Sequence, residues 1–395
     1  MIHYLLVPLA KYIESFRFFE SIHLRALCAG LTAFLIGIVI GPGIIDRLGQ
    51  LRWRERIACD SAKLTALNEK AGKSGTPTMG GMILVLSTVT GTLLFARLDQ
   101  HLVLAALWTM TAMGVLGGID DRIKLMKLPD PKNPKRFRNG MDAWPKIWGQ
   151  IMIGTVAMVW IWWTMADVPG WDVFRVPGLS ALGLHSVGLG GMGWSGADLG
   201  TSGFSLGPLM IPIGIFVLVA TSNAVNLTDG MDGLAAGCGV IVTLVLAVTS
   251  YLVGHIGLAP HLGEVFIPQG GELSVFLCAL AGGTGGFLWW NCFPARVFMG
   301  NTGSMALGGA LAVAAMGMRQ EFVLAVAGAA FVWEAVSVIL QVGSYKTRGG
   351  KRIFLIAPYH HHLQFKGWPE SRVVMSFWIG TAVCSVLALG LQRVL

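Results

Sequence analysis

Apolar residues in this chain come in long runs, and the polar residues collect between them. Ten runs stand out, at 24–45, 79–98, 102–119, 147–166, 206–224, 234–254, 273–291, 304–318, 322–343 and 373–391. A helix crosses the hydrocarbon core of a bilayer with about 20 apolar residues, and most of these runs approach that length. The pattern predicts an all-α, polytopic integral membrane protein with about ten transmembrane helices, a single domain over residues 1–395. Residues 1–23 break the pattern, mixing Tyr4, Tyr12, Phe16, Phe18 and Phe19 with Lys11, Glu14, Arg17 and Glu20. That mixture suits an interfacial segment lying against the membrane. Residues 167–205 break it again with an insert rich in Gly and nearly free of Lys and Arg.

Composition narrows the picture. Hydrophobic residues make up 54% of the chain and charged residues only 13%, against roughly a quarter charged in soluble domains. A soluble enzyme and a disordered chain are both excluded. Most of the 29 Lys and Arg residues lie in the segments after the odd-numbered runs. The positive-inside rule therefore puts those loops in the cytoplasm, and both termini and the 167–205 insert outside. The net charge of +8 belongs to these loops, so no nucleic-acid partner is expected. The six cysteines form no C-x-x-C pair and read as small buried hydrophobes. Trp160, Trp162, Trp163, Trp289 and Trp290 fall at run ends, as aromatic-belt residues do. Gly37 with Gly41, Gly114 with Gly118, Gly233 with Gly237 and Gly282 with Gly286 are spaced for close helix packing.

The unusual polar residues gather at the cytoplasmic face, where a channel or transporter would string them along a path. Lys73 to Gly81 opens the second run; there Thr76 is expected to cap a helix starting at Pro77, leaving free N–H groups for a phosphate. Asp120 and Asp121 end the third run beside Arg122 and Lys124, a pairing more comfortable with a cation between the acids. Asn223, Asn226, Asp229 and Asp232 recur at every third residue and predict a helix end running into a short loop. The stretch from Asn291 to Ser304 again offers flexible backbone before a helix, with Phe298 as a plate for a base. His360, His361 and His362 are consecutive, which suits phosphate contacts or proton transfer better than one zinc ion. Glu334 lies mid-run, either functional or protonated against a neighbouring helix. Together these groups point to metal-assisted phosphoryl or phospho-sugar transfer between a lipid phosphate and a cytosolic substrate.

Six segments, GTPTMGG (75–81), DDRIK (120–124), NAVNLTDGMDGLA (223–235), PARVFMGNTGS (294–304), FVWEAVSVILQVG (331–343) and RIFLIAPYHHHLQFKGWPE (352–370), resemble in order the phospho-N-acetylmuramoyl-pentapeptide-transferase family. The resemblance implies ten membrane helices and a cytoplasmic active site in a bacterial inner membrane. It implies transfer from UDP-N-acetylmuramoyl-pentapeptide to undecaprenyl phosphate with Mg2+, giving lipid I and UMP, and a homodimer. Carried over by position, Asp120 and Asp121 match the acidic pair, with Asp120 accepting the lipid phosphate's proton or lying near the metal. Lys73, Thr78, Lys124 and Lys146 match polar positions of the nucleotide-sugar site. Asp229, Asp232, Asn291 and Phe298 match the uridine pocket, while Asp229 is also a candidate nucleophile. His360, His361 and His362 match a histidine motif near the diphosphate, His360 as a catalytic group, and Asn226 matches an amide that would bind the metal.

One position departs from the resemblance. The family usually reads FMGD in the fourth cluster, with the Asp on Mg2+, and here the residue is Asn301. An amide oxygen brings no charge to a hard cation. Three explanations stand: variation compensated by acids such as Asp229, an inactivating substitution, or a lost activity. The competing function is a membrane carrier that binds nucleotide sugar or lipid phosphate without chemistry.

Overall fold

Every apolar run is helical in a computed structural model of the chain, which describes residues 1–51, 53, 73, 75–126, 129–130, 133–137, 140–174, 204–262 and 264–391. Besides short helical turns such as Ile2–Leu6 and Leu258–His261, the helices are α1 (Ile22–Gln50), α2 (Gly81–Phe95), α3 (His101–Leu125), α4 (Ala143–Met165), α5 (Met210–Thr228), α6 (Leu234–Val253), α7 (Gly270–Asn291), α8 (Gly300–Met318), α9 (Glu321–Ala327), α10 (Ala329–Thr347), α11 (Tyr359–Phe365) and α12 (Glu370–Leu391). Two short antiparallel hairpins join them: β1 (Pro129–Asp130) with β2 (Asn133–Phe137), and β3 (Val173–Phe174) with β4 (Phe204–Ser205). The second is the stem of the predicted outer insert, whose residues 175–203 lie outside the described residues, as does Cys59. The other five cysteines are free.

Seven described helices (α1, α3, α4, α5 with its leading turn, α6, α7 and α12) are long and apolar enough to cross a membrane, and this is a multi-pass membrane protein. The run predicted at 322–343 is not one straight span. It breaks at Gly328 into α9 and α10, bent by 77°. There the Gly328 N–H returns to the Leu324 carbonyl, against which a Cβ would stand 2.6 Å away. Counting the pair as one span makes eight.

At the centre stands α8, buried without interruption from Thr302 to Met318. Its sequence is mostly Gly, Ala and Met, so neighbours approach on every side and none of it needs to face lipid. A Cβ at Gly117 of α3 would stand 2.1 Å from the Asn301 carbonyl oxygen, and one at Gly81 of α2 would stand 2.2 Å from Gly303. Two predicted small-residue pairs are notches for tryptophan. Trp290, expected in an aromatic belt, fills the Gly37–Gly41 notch and donates to the Gly37 carbonyl at 3.2 Å. Trp378 fills the Gly233–Gly237 notch and donates to the Gly233 carbonyl at 3.2 Å.

One end of the bundle is locked by a buried ion pair. Arg25 of α1 grips Glu272 of α7 with both guanidinium NH2 groups and donates to the Phe95 carbonyl at the end of α2. The N-terminal segment docks at this same end, where the Met1 amine donates to the Leu93 carbonyl at 2.7 Å and the Tyr4 hydroxyl to Asp99 at 2.7 Å. The candidate residues occupy the other end.

Candidate active site

Three groups of side chains make the site, joined by the turn between α5 and α6. Helix α5 ends at Thr228, and Asp229 to Gly233 form the short loop expected from the Asn/Asp repeat, with Gly233 at φ +77°.

The first group lies between α3, α5 and α8. Asp120, at the end of α3, is buried and accepts the Met141 N–H at 2.6 Å; Gly140, at φ +92°, lets that strand of backbone approach. The other Asp120 oxygen faces Lys146 of α4 at 3.5 Å and accepts from the Asn301 side-chain amide. The Asn301 Oδ1 in turn accepts from the Asn226 amide, which also donates to the Ser304 hydroxyl at 2.8 Å. Asp121 has a different job. Its oxygens accept the Asn301 N–H at 3.0 Å, the Thr302 N–H at 2.9 Å and the Thr302 hydroxyl at 2.8 Å. A carboxylate from α3 therefore caps α8, where the helix dipole favours negative charge.

The second group closes the loops. Lys73 is buried between Asp232 at 2.8 Å and Glu370 of α12 at 2.5 Å. Burial opposes its charge, but the two carboxylates overcome that and hold its pKa above the ordinary lysine value. Glu370 also accepts the Asp232 N–H at 2.9 Å, and Asp232 accepts the Ala295 N–H at 3.0 Å. Asn291 commits its whole amide here, accepting from the Gly233 N–H at 3.0 Å and donating to the Val297 carbonyl at 2.9 Å.

The third group is the histidine motif. His360 is fully buried, and Glu334 of α10 binds both its backbone N–H and its Nδ1, each at 3.0 Å. His361 pairs with Gln364, and His362 accepts the Leu355 N–H at 3.1 Å, so the three rings do point three ways. Burial, reinforced by the Lys73 charge, pushes His360 down to about 3. Burial and the neighbouring His360 push His361 down to about 3 as well. His362 is lowered in the same direction by burial and by Lys366.

The expected helix start at Thr76–Pro77 is corrected. Residues 76–80 lie outside any helix: the Pro77 carbonyl accepts the Phe298 N–H at 2.9 Å, the chain turns at Met79 with φ +69°, and α2 begins at Gly81. The N–H groups of Gly80 and Gly81 bond the Phe298 and Met299 carbonyls, so these two donors are not open to a phosphate. Thr78 is buried in this strip, its N–H on the Trp53 carbonyl at 3.0 Å, and Phe298 is half-buried beside it. Asp229 and Lys124 are half-buried at the same end of the bundle.

No group of three or more His, Cys, Asp or Glu side chains able to hold a metal occurs among the described residues. The side-chain amides next to Asp120 present N–H groups, Asn301 toward Asp120 and Asn226 toward Asn301; turned over, their oxygens would add to one carboxylate a hard-oxygen set of the kind Mg2+ takes. In the arrangement described, the Asn301 amide N–H sits where a cation would neutralise Asp120. The set fits a divalent ion in donor type once that amide turns.

The comparisons with known proteins come out uniformly. The profile described as Glycosyl transferase family 4 matches residues 103–319. A relative from Thermodesulfovibrio yellowstonii is 38% identical over 389 residues, covering 98% of each chain. One from Oleidesulfovibrio alaskensis is 37% identical over 394 residues, covering 100% of this chain and 99% of its own. One from Desulfatibacillum aliphaticivorans is 38% identical over 388 residues. All three carry the name phospho-N-acetylmuramoyl-pentapeptide-transferase. This chain belongs to that family.

The match to the Oleidesulfovibrio alaskensis relative runs over the whole of this chain. Two further acids stand in the site: Glu370, which sequence reasoning missed, and Glu334, which it singled out without a partner. Glu370 completes the Lys73 pair, and its only signal was its place at the end of a matching segment. Glu334 had a clear signal, a carboxylate within an apolar run, but its partner His360 lies 26 positions away.

Proposed function

We propose that this chain transfers phospho-N-acetylmuramoyl-pentapeptide from its UDP-activated form to undecaprenyl phosphate, giving lipid I and UMP, the first membrane step of peptidoglycan synthesis. The observation that carries the reading is full-length membership of a family so named, joined to a single end of the bundle where acids, amides, lysine and histidines converge. The site faces the cytoplasm of a bacterial inner membrane, with both termini outside; the Lys and Arg distribution supports this orientation.

On this reading a phosphate oxygen of the lipid attacks the β-phosphorus of the nucleotide sugar, the P–O bond to UMP breaks, and UMP leaves. Asp120 receives the proton of the attacking phosphate, with Lys146 steadying the charge that Asp120 holds beforehand. Asp120, Asn226 and Asn301 are the residues that would hold Mg2+, which would supply neutralising charge to the diphosphate. Phe298 stacks the base, and Asp232 and Lys73 line the nucleotide end. Asp229 and Lys124 stand nearby as further polar contacts. The functional unit is a homodimer, a reading that rests on the family resemblance and is checked by the mass of the detergent-solubilised particle.

The test is mass spectrometry of the lipid fraction after incubation with both substrates. A polyprenyl diphosphate bearing the muramoyl pentapeptide supports the proposal. Binding of both substrates without that product would replace it with the carrier reading. Asp120→Asn should retain the fold and lower turnover by about 10²–10⁴-fold.

A further inference from the structure

The mechanism leaves one arrangement unused: a carboxylate and an imidazole, both fully buried, with one ring nitrogen unpartnered. Glu334 and His360 are each 0% exposed. The two Glu334 oxygens are both taken by His360, one by its backbone N–H and one by its Nδ1. His360 Nε2 is shielded from solvent and has no hydrogen-bond partner among the described residues. It abuts Gly230, where a Cβ would stand 2.3 Å from it, in the turn carrying Asp229 and Asp232. His361 covers the ring at 4.1 Å between centroids. A buried polar atom without a partner costs about 1–3 kcal/mol, and such an atom in a native site calls for a ligand or a role.

The tautomer follows from the bonds. With Glu334 ionised its oxygens can only accept, so Nδ1 carries the proton and donates to Glu334. Nε2 is then a bare lone pair. The Lys73 charge and the depth of burial keep the ring neutral, so Nε2 acquires no second proton in the neutral range. A lone pair repels a fully ionised phosphate oxygen and takes an O–H or N–H donor instead.

We propose that Glu334 is a positioning residue that fixes His360 as the Nδ1–H tautomer, so that Nε2 serves the 229–232 turn as a hydrogen-bond acceptor for an O–H or N–H of the bound substrate. This rests on the transferase reading for its substrate and departs from the expectation that the histidines donate to a diphosphate. The logic resembles other carboxylate–histidine pairs in which the acid sets which nitrogen is free.

Glu334→Gln tests it. Gln keeps the size and the bond to the backbone N–H through its carbonyl oxygen. Its NH2 then faces Nδ1, and the ring proton must move to Nε2, turning the acceptor into a donor. A merely structural Glu334 would tolerate this change. Nitrogen NMR of histidine-labelled protein should show His360 Nε2 without a proton in the native chain and with one in Glu334→Gln. Turnover should fall by about 5–150-fold, and Glu334→Asp, which keeps the carboxylate, should recover part of it. A raised KM for the nucleotide sugar alone, or for the lipid phosphate alone, would identify which carries the donor. Native Nε2 found protonated, or an inverted tautomer with turnover unchanged, would overturn the proposal. If Glu334→Gln fails to fold, the native spectrum and Glu334→Asp still decide. A native chain that makes no product at all would instead sink the transferase reading, leaving the spectroscopic arm intact.

Discussion

Asp121 gives the sharpest separation of scaffold from chemistry. It stands beside Asp120 in sequence, yet its oxygens are spent on the Asn301 N–H, the Thr302 N–H and the Thr302 hydroxyl at the start of α8. Asp121→Ala strands two backbone N–H groups at a buried helix end. Each costs about 1–3 kcal/mol, and losing the charge at the helix N-terminus adds about 0.3–2 kcal/mol. The expected loss is roughly 2–8 kcal/mol. Asp121→Asn keeps an accepting oxygen and should lose less than half of that. Thermal unfolding in detergent reads both, and a cycle with Thr302→Val isolates the pair, with an expected coupling of about 0.5–3 kcal/mol. An Asp121→Ala protein that melts with the native one but has lost turnover would refute the capping account and return Asp121 to the chemistry.

Other outcomes follow from the same geometry. Lys73→Met leaves Asp232 and Glu370 facing each other without a cation and should cost about 3–5 kcal/mol, with partial recovery in Lys73→Met/Glu370→Gln, measured as unfolding midpoints. His360 and His361 are held near 3 against about 6.5 unfolded. The unfolded chain therefore takes up more protons between those values. Stability should be full above about pH 6.5 and fall by up to about 1.4 kcal/mol per pH unit for each ring as the pH drops toward 3; a midpoint unchanged between pH 7 and 5 would contradict this. Lys73, with its pKa raised, should keep its contribution through neutral pH and lose it only beyond the ordinary lysine range. Asn301→Asp replaces an N–H donor with a second charge beside Asp120 and should tighten divalent-cation binding by at least about tenfold, read calorimetrically without substrate.

How much of this was legible in the sequence depends on the range of the interactions. Helices were legible because apolar runs are local signals, and α8 was found despite being short of bulky side chains. The clustering of polar groups at one end followed from the alternation of helix direction. What escaped was set by local backbone geometry in one case and by partners far apart in the others. Gly328 looks like any glycine in an apolar run until the Leu324 carbonyl returns to it. Pro77 and Phe298 pair across more than 200 residues, and that pairing, not local capping preference, decides where α2 starts. Asn291 reads as a ligand, but its amide is consumed by Gly233 and Val297. Trp290 reads as a lipid-interface residue until the notch at Gly41 is seen.

A site with Asn301 beside Asp120 should work as a transferase centre. UMP release by the purified protein, given UDP-N-acetylmuramoyl-pentapeptide, undecaprenyl phosphate and graded Mg2+, with Asn301→Asp alongside, tests this. The native chain should release UMP in a Mg2+-dependent way, one UMP per lipid product, and none without the lipid phosphate. No release by the native chain, with activity appearing only in Asn301→Asp, would contradict it.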